Sequence, residues 1–443
     1  MVRFFALGLA LGMLLAALPA SGRLVGTEFR VTDTYGVEEQ PHLYQDRVVW
    51  ADKSQGETED IWMYDFATGR RTQLSSAIGD EWWPHIYGDT VVWGHTVLVE
   101  DSTGTIVAVP TFAIHSISSG TTRLAKQVAT AGTFPAELQK HPVIYGEWVV
   151  WENQNVDVFD IYAMNVATGL VTPITNDPAV QHLPYISKNW VAYEQVAGTC
   201  PGVGCNTDLW VYYLQFPYFK AKVANATDWD EMDPTIFNNT LVYTDYRNDS
   251  DRRCSVCNAL TSEDDADLYR VDLTALIDGQ PLAAPEPLVT LPGSQEEPRL
   301  YNDRLVWRNF LPGNATADLW TMDLQERQPE ELIGGPADLW EVQIWEDRIV
   351  WSDLRADTNI NDQIDDFDVW AFCLGDAPCG FVPQENSVFP AVVGGLLIVT
   401  AGAAVVAYMA RRASHREEER RAAEEASRRK RSKGKGPRSA PRS

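Results

Sequence analysis

The chain has 443 residues, a formal net charge of −26, and 16 Trp, 16 Tyr and 15 Phe. So acidic a balance excludes nucleic-acid binding and disfavours anionic lipid, whereas it suits divalent cations, cationic partners or a salty medium. Aromatics scattered among short Val, Ile and Leu runs favour half-buried strands, and the length exceeds one small core, so the expected class is a large all-β repeat domain.

Taken in chain order, Met1-Val2-Arg3, the apolar run Phe4–Leu18 and the small residues Ala20-Ser21-Gly22 read as a secretory signal over 1–22. An ectodomain is expected over 23–380. Its dominant pattern is a Pro followed nine residues later by Trp or Tyr: Pro41/Trp50, Pro84/Trp93, Pro142/Trp151, Pro184/Tyr193, Pro234/Tyr243 and Pro298/Trp307. A seventh copy keeps the spacing with Val342 and Trp351. Between the anchors sit pairs such as Gln45-Asp46, Gly88-Asp89, Asn238-Asn239 and Asn302-Asp303, which tolerate the positive φ of tight hairpins, so each copy opens with strands A and B.

Strand C follows as Asp, an aliphatic residue and an aromatic one: Asp60-Ile61-Trp62, Asp160-Ile161-Tyr162, Asp208-Leu209-Trp210, Asp267-Leu268-Tyr269, Asp318-Leu319-Trp320 and Asp368-Val369-Trp370. Blade two departs from this with Thr111-Phe112. Thr68-Gly69 and Thr168-Gly169 then turn into a short strand D, as at 71–74 or 171–175. A four-stranded period near fifty residues is a propeller-blade period. The seventh copy has no strand D of its own, whereas Phe29–Thr32 occupies that position ahead of Pro41. The N-terminal strand is therefore expected to complete blade seven and seal a seven-bladed ring, removing its open edge.

The pattern Pro-x-Ile/Leu, polar turn, Val-Val-Trp, Asp-Ile-Trp/Tyr, Thr-Gly resembles the TolB-like propeller repeats of secreted and cell-surface proteins, across about residues 28–375. The resemblance implies the fold and leaves function open, since propellers host binding modules and enzymes alike.

Several chemical features decorate this frame. Glu38, Glu81, Gln139, Gln181, Glu231 and Gln295 each stand three residues before an anchor Pro, with Leu339 breaking the series. They are expected around the central mouth, satisfying backbone groups of neighbouring blades or forming a ligand-binding ring. The B–C insertions, residues 94–110, 194–207, 245–266 and 352–367, should collect on one face with the D–A connections, as the rim for binding. Within the last, residues 357–368 resemble a twelve-residue calcium loop with oxygen ligands on Asp357, Asn359, Asn361, Gln363, Asp365 and Asp368. Asp362 stands where the loop turn favours Gly, and Asp368 also serves the strand C signature. Ca²⁺ is the one cofactor suggested.

Six cysteines form close pairs, Cys200/Cys205, Cys254/Cys257 and Cys373/Cys379, read in an exported protein as three local disulfides. Asn225, Asn248 and Asn314 head glycosylation sequons; the sequon at Asn238 falls in a hairpin turn. The histidines His42, His85, His95, His115, His141 and His182 show no metal-ligand spacing and read as strand or mouth residues. A linker at 381–387 leads to Val388–Ala410, 23 residues without a charge, which as a helix would span about 34 Å and cross a bilayer. The tail 411–443 carries thirteen Lys/Arg against five Glu, placing it in the cytoplasm and the ectodomain outside.

There is no Gly-x-Ser-x-Gly elbow, phosphate loop or appended hydrolase domain. The expectation is a single-pass cell-surface module that binds a protein, glycan or envelope component and no nucleic acid. The alternatives are a metal-assisted lyase or hydrolase acting at the central mouth, and a structural envelope component.

Overall fold

The computed structural model describes residues 26–375 apart from 35, 55–57, 77–78, 101–105, 126–138, 156–157, 198–205, 216–217, 224–228, 249–264, 315, 336–338 and 356–366. They form seven four-stranded antiparallel sheets, each in the order A-B-C-D. The seven A strands are Glu38–Tyr44, Glu81–Tyr87, Gln139–Tyr145, Val180–Ser187, Glu231–Phe237, Ser294–Tyr301 and Leu339–Trp345. Each touches the A strand of the next blade, and the seventh touches the first. The result is a closed seven-bladed propeller with its A strands around a central channel.

The anchor aromatics explain why the repeat packs. Trp50, Trp93, Trp151, Tyr193, Tyr243, Trp307 and Trp351 are buried, each in a sandwich between neighbouring sheets. Seven hydrophobic clusters result, one at every blade junction. Fully burying such a side chain contributes about 1.5–3 kcal/mol, so the core is distributed around the ring. The first residue of every A–B turn has positive φ, between 51° and 61°, at Gln45, Gly88, Gly146, Lys188, Asn238, Asn302 and Glu346. The polar hairpin pairs are thus where their chemistry requires.

Closure follows the expected scheme with a shifted boundary. The completing strand is Gly26–Arg30, and it pairs antiparallel with Asp368–Leu374, strand C of blade seven. Its register sets Gly26 opposite Leu374 and Arg30 opposite Trp370. Arg30 Nη2 lies 2.6 Å from Asp368 Oδ1, Val369 N donates to Thr32 Oγ1 at 2.9 Å, and Phe29 packs edge-on against Phe66 of blade one. Both free ends of the ring, Gly26 and Leu374, therefore lie on the face of the A–B and C–D turns.

Two connections differ from expectation. Much of the blade-two insertion is regular, because strands Thr90–Glu100 and Ile106–Ser116 run on together as a long B–C hairpin. The C–D connection of blade five is long and carries a short helix, Thr274–Ile277, on the face expected to hold only tight turns. Among the described residues no helix is long and apolar enough to cross a membrane. The signal at 1–22, the linker at 381–387, the span at 388–410 and the tail at 411–443 lie outside the described residues.

Candidate functional site

Every A strand is interrupted at the same point. The A–B register shifts across residues 40–41, 83–84, 141–142, 183–184, 233–234, 297–298 and 341–342. The second residue of each pair is the anchor Pro, or Val342, and Pro suits a bulge because it has no N–H to lose from the ladder. The first residue has positive φ, from 48° to 60°, at Gln40, Trp83, His141, Leu183, Asp233, Glu297 and Glu341. Left-handed backbone at a non-glycine residue costs of order 1–2 kcal/mol, so seven repeats of it need a compensating arrangement.

That arrangement is a set of staples between blades. Gln40 N donates to Glu341 Oε2 at 2.5 Å, Trp83 N to Gln40 Oε1 at 2.6 Å, Leu183 N to Glu152 Oε1 at 2.7 Å and Asp233 N to Glu194 Oε1 at 2.9 Å. Three residues further along, Ile86 N donates to His42 Nδ1 and Ile144 N to His85 Nδ1, at 3.2 and 3.3 Å. An accepting Nδ1 requires a neutral imidazole, and burial pushes both histidines down, His85 to about 3. Their rings meet at a tilt of 34° with centroids 3.3 Å apart, an arrangement that two charged rings would resist.

The bulge aims its first residue into the channel. With the residues two positions on, these side chains line a cavity of about 380 Å³. Its wall has two halves. Blades two to four present Trp83, Val143, Leu183 and Tyr185; blades five to seven present Asp233, Glu297, Arg299 and Glu341, joined by Glu194 from strand B of blade four. Trp83 and Leu183 are 40 % and 38 % exposed, unusual for such side chains in a folded core. Trp83 lies against His141 with ring centroids 3.8 Å apart and planes tilted by 39°, and His141 Nδ1 donates to Glu152 at 2.5 Å.

Deeper, toward the turn face, aromatic rings crowd the channel. Tyr44 meets Tyr87 at 4.6 Å and Trp345 at 4.5 Å, Tyr87 meets Tyr145 at 4.4 Å, Trp345 meets Tyr301 at 4.8 Å and Tyr301 meets Phe237 at 4.9 Å. Only Ser187 of blade four interrupts this belt. The cavity therefore lies at the insertion-bearing end, above an aromatic floor.

Burial and like charges set the electrostatics. Asp233 is pushed up to about 7, first by burial and then by Glu297. Glu341 also rises to about 7 through burial, against hydrogen bonds from Ser352 and Gln40 N. Glu39 is raised to about 8 by burial and then by Glu341, and burial, followed by Asp233, raises Glu194 well above the carboxylate range. Carboxylates this crowded hold protons near neutrality and yield them to an incoming positive charge.

The expected mouth ring is a buried ring. Glu38, Glu81, Gln139, Gln181, Glu231 and Gln295 are only 0–2 % exposed and work inside the walls. Glu38 accepts from Thr34, Glu81 accepts from Trp93 Nε1 and Ser75, Thr111 donates to Gln139, Thr175 to Gln181, Leu209 N to Glu231, and Gln295 spans the backbone of residues 291–293. The channel surface belongs instead to the positions two residues on. Of those seven, the sequence pattern marks only His141 as a strand or mouth residue; Gln40, Trp83, Leu183, Asp233, Glu297 and Glu341 share no residue type that would single the position out.

Of the calcium-loop residues, Asp357, Asn359, Asn361, Gln363 and Asp365 lie outside the described residues, and Asp368 is buried and paired with Arg30. Among the described residues no group of three or more His, Cys, Asp and Glu is placed to hold a metal ion. Cys373 is buried and disulfide-bonded; its expected partner Cys379, like Cys200, Cys205, Cys254 and Cys257, lies outside the described residues. Asn248 and Asn314 are exposed, and Asn225 is outside the described residues. A second cavity of about 510 Å³ between blades one and two is bordered by Ser75, Glu81, His95 and Leu124, and its Glu81 is already engaged, accepting from Ser75 and Trp93 with His95 Nδ1 3.2 Å away.

No family model and no curated protein matches the sequence. Solved structures are similar in fold. An oligogalacturonate lyase from Vibrio parahaemolyticus superposes with a TM-score of 0.53 at 11% identity, over 79% of this chain and 97% of that one. The propeller domain of the Trilobed protease from Pyrococcus furiosus, described as having an open velcro topology, gives 0.52 at 7% identity over 76% and 94%. TolB from Acinetobacter baumannii gives only 0.37 at 11% identity over 62% and 60%, too low to bear on the fold, which the first two comparisons support. Identities this low speak for the propeller fold alone, and here the velcro is shut by the N-terminal strand.

Proposed function

We propose that this chain is a membrane-anchored, extracytoplasmic propeller that binds a protein, glycan or envelope component at the insertion-bearing mouth of its channel. The leader at 1–22 and the uncharged segment at 388–410 support export and anchoring. The observation that carries the binding reading is the two-sided cavity, an exposed aromatic and aliphatic wall facing a wall of buried carboxylates above an aromatic floor. Concave, mostly preformed sites with a few convergent polar groups are where propellers and other folds recruit ligands.

Binding of the purified protein to glycan, protein and envelope-fraction arrays, compared with a Trp83→Ala/Leu183→Asp variant, tests this reading. The variant is expected to lose about tenfold or more in affinity, since truncating a central aromatic anchor costs upward of about 2 kcal/mol. Unchanged binding by a variant that melts like the parent would sink it.

A further inference from the structure

We propose that the cavity receives the cationic head of a lysine or arginine side chain presented by a partner protein; this rests on the channel-mouth reading above and names the ligand chemistry. The first argument is charge. Glu194, Asp233, Glu297 and Glu341 meet at the cavity with two cations, Arg299 and Arg308, an excess of two carboxylates. Arg308 is already engaged, with Nη1 2.7 Å from Glu297 Oε1 and its guanidinium stacked 3.9 Å over Trp340. Arg299 donates to its neighbour's carbonyl, Pro298 O, at 2.8 Å.

The histidines do not make up the deficit. His42 and His85 accept backbone N–H groups and are held neutral, and His141 is committed to Glu152. His182 lies 3.6 Å from Glu194 Oε2, and burial lowers its affinity for a proton. Glu194 has a side chain with 0% exposure that lines the cavity, and among the described residues its Oε2 has no hydrogen-bond donor. A buried carboxylate oxygen facing a cavity favours a hydrogen-bond donor, and a charged donor gains most there.

The second argument is shape. A neutral sugar would use the hydroxyl-bonding capacity of the acidic wall but would leave its charge uncompensated. A basic side chain fits both walls, its methylene stem along Trp83, Val143 and Leu183 and its head among the carboxylates. The exposed indole adds a cation–π surface at the rim. Binding should be coupled to pH, because the cavity-lining Asp233 and Glu341, both raised to about 7, must release protons to pair with the incoming cation.

The test is calorimetric titration of the full-length protein in neutral detergent with n-butylguanidinium and n-butylammonium, against the uncharged N-butylacetamide. Glucosamine and N-acetylglucosamine serve as sugar probes. Both alkyl cations are expected to bind about tenfold or more tightly than the amide, with affinity rising about tenfold from about pH 6 to about pH 8.5 and protons released on binding near neutrality. Glu194→Gln/Asp233→Asn should weaken the cations by a similar factor and flatten the pH dependence, with the melting temperature confirming the fold. Glucosamine binding more tightly than both alkyl cations would overturn the side-chain assignment in favour of an amino sugar. N-acetylglucosamine or the amide binding as well as the cations, or no binding of any cation while Trp83→Ala/Leu183→Asp still abolishes array binding, would overturn the cationic class and leave the channel-mouth site standing.

Discussion

Arg30 and Asp368 show how one pair of side chains can carry a topological task. The Asp368 side chain is fully buried, while that of Arg30 keeps 31% exposure, so the anion is the costly partner to strand. Arg30→Ala should therefore cost about 3 kcal/mol in urea unfolding, near the lower end for breaking a buried pair because solvent reaches the cationic side. A loss below about 0.5 kcal/mol would show that the ladder closes the ring without the pair. At this scale the sequence was legible where chemistry repeats: the seven anchor aromatics and the turn positions with positive φ stand where the nine-residue spacing put them. The channel surface was not. Glu38 and Gln40 share a face by strand alternation, so periodicity cannot tell which of them meets solvent. The bulge at Gln40-Pro41 makes that choice, and the Pro that marks the bulge reads in sequence as a strand anchor.

Among elements, the N-terminal strand has the largest consequence. Removing residues 26–32 would strip the partner from Asp368–Leu374, uncover an edge of blade seven and expose part of the cluster that holds Phe29 and Val31 against Trp50 and Val369. The expected result is a lower urea midpoint together with concentration-dependent association, checked by unfolding and by light scattering. A truncated protein that stays monomeric and melts like the parent would mean that the strand is dispensable. The strand was foreseen because blade seven ended one strand short, but its boundary moved from Phe29–Thr32 to Gly26–Arg30. Spacing from the next anchor fixes a strand's place in the repeat, and only the ladder with strand C fixes its register. The repeat template ends at Gly94 and so leaves the blade-two hairpin as an insertion, although Val97, Val99, Val107 and Val109 continue the β-branched pattern.

For the molecule as a whole, stability should fall as the medium turns alkaline. Glu38, Glu39 and Glu231 are pushed up to about 8, and Asp233 and Glu341 to about 7, foremost by burial. The folded ring keeps these protons where the unfolded chain has released them, so their contribution is complete below the ordinary carboxylate range and is lost as pH rises through about 7–8. His42 and His85 act in the opposite sense, but only below the ordinary imidazole value, where the unfolded chain takes up protons that the fold refuses. The urea midpoint is accordingly expected to drop between about pH 6.5 and about pH 8.5, and a flat or rising profile would contradict the buried carboxylates. The blade count could be read from the chain because each module repeats one local pattern. Which seven side chains converge on the axis is a property of the closed circle.

The juxtaposition of Gly26 and Leu374 has an orientational corollary. Thirteen residues separate Leu374 from Val388, a leash of at most roughly 45 Å when fully drawn out. If the segment at 388–410 is embedded in lipid with the propeller outside the cell, the ring is tethered from a single blade on its turn face, and the hollow at its axis opens on the opposite face. A partner arriving from the surroundings would meet that hollow first, with the bilayer behind the disc and out of its way.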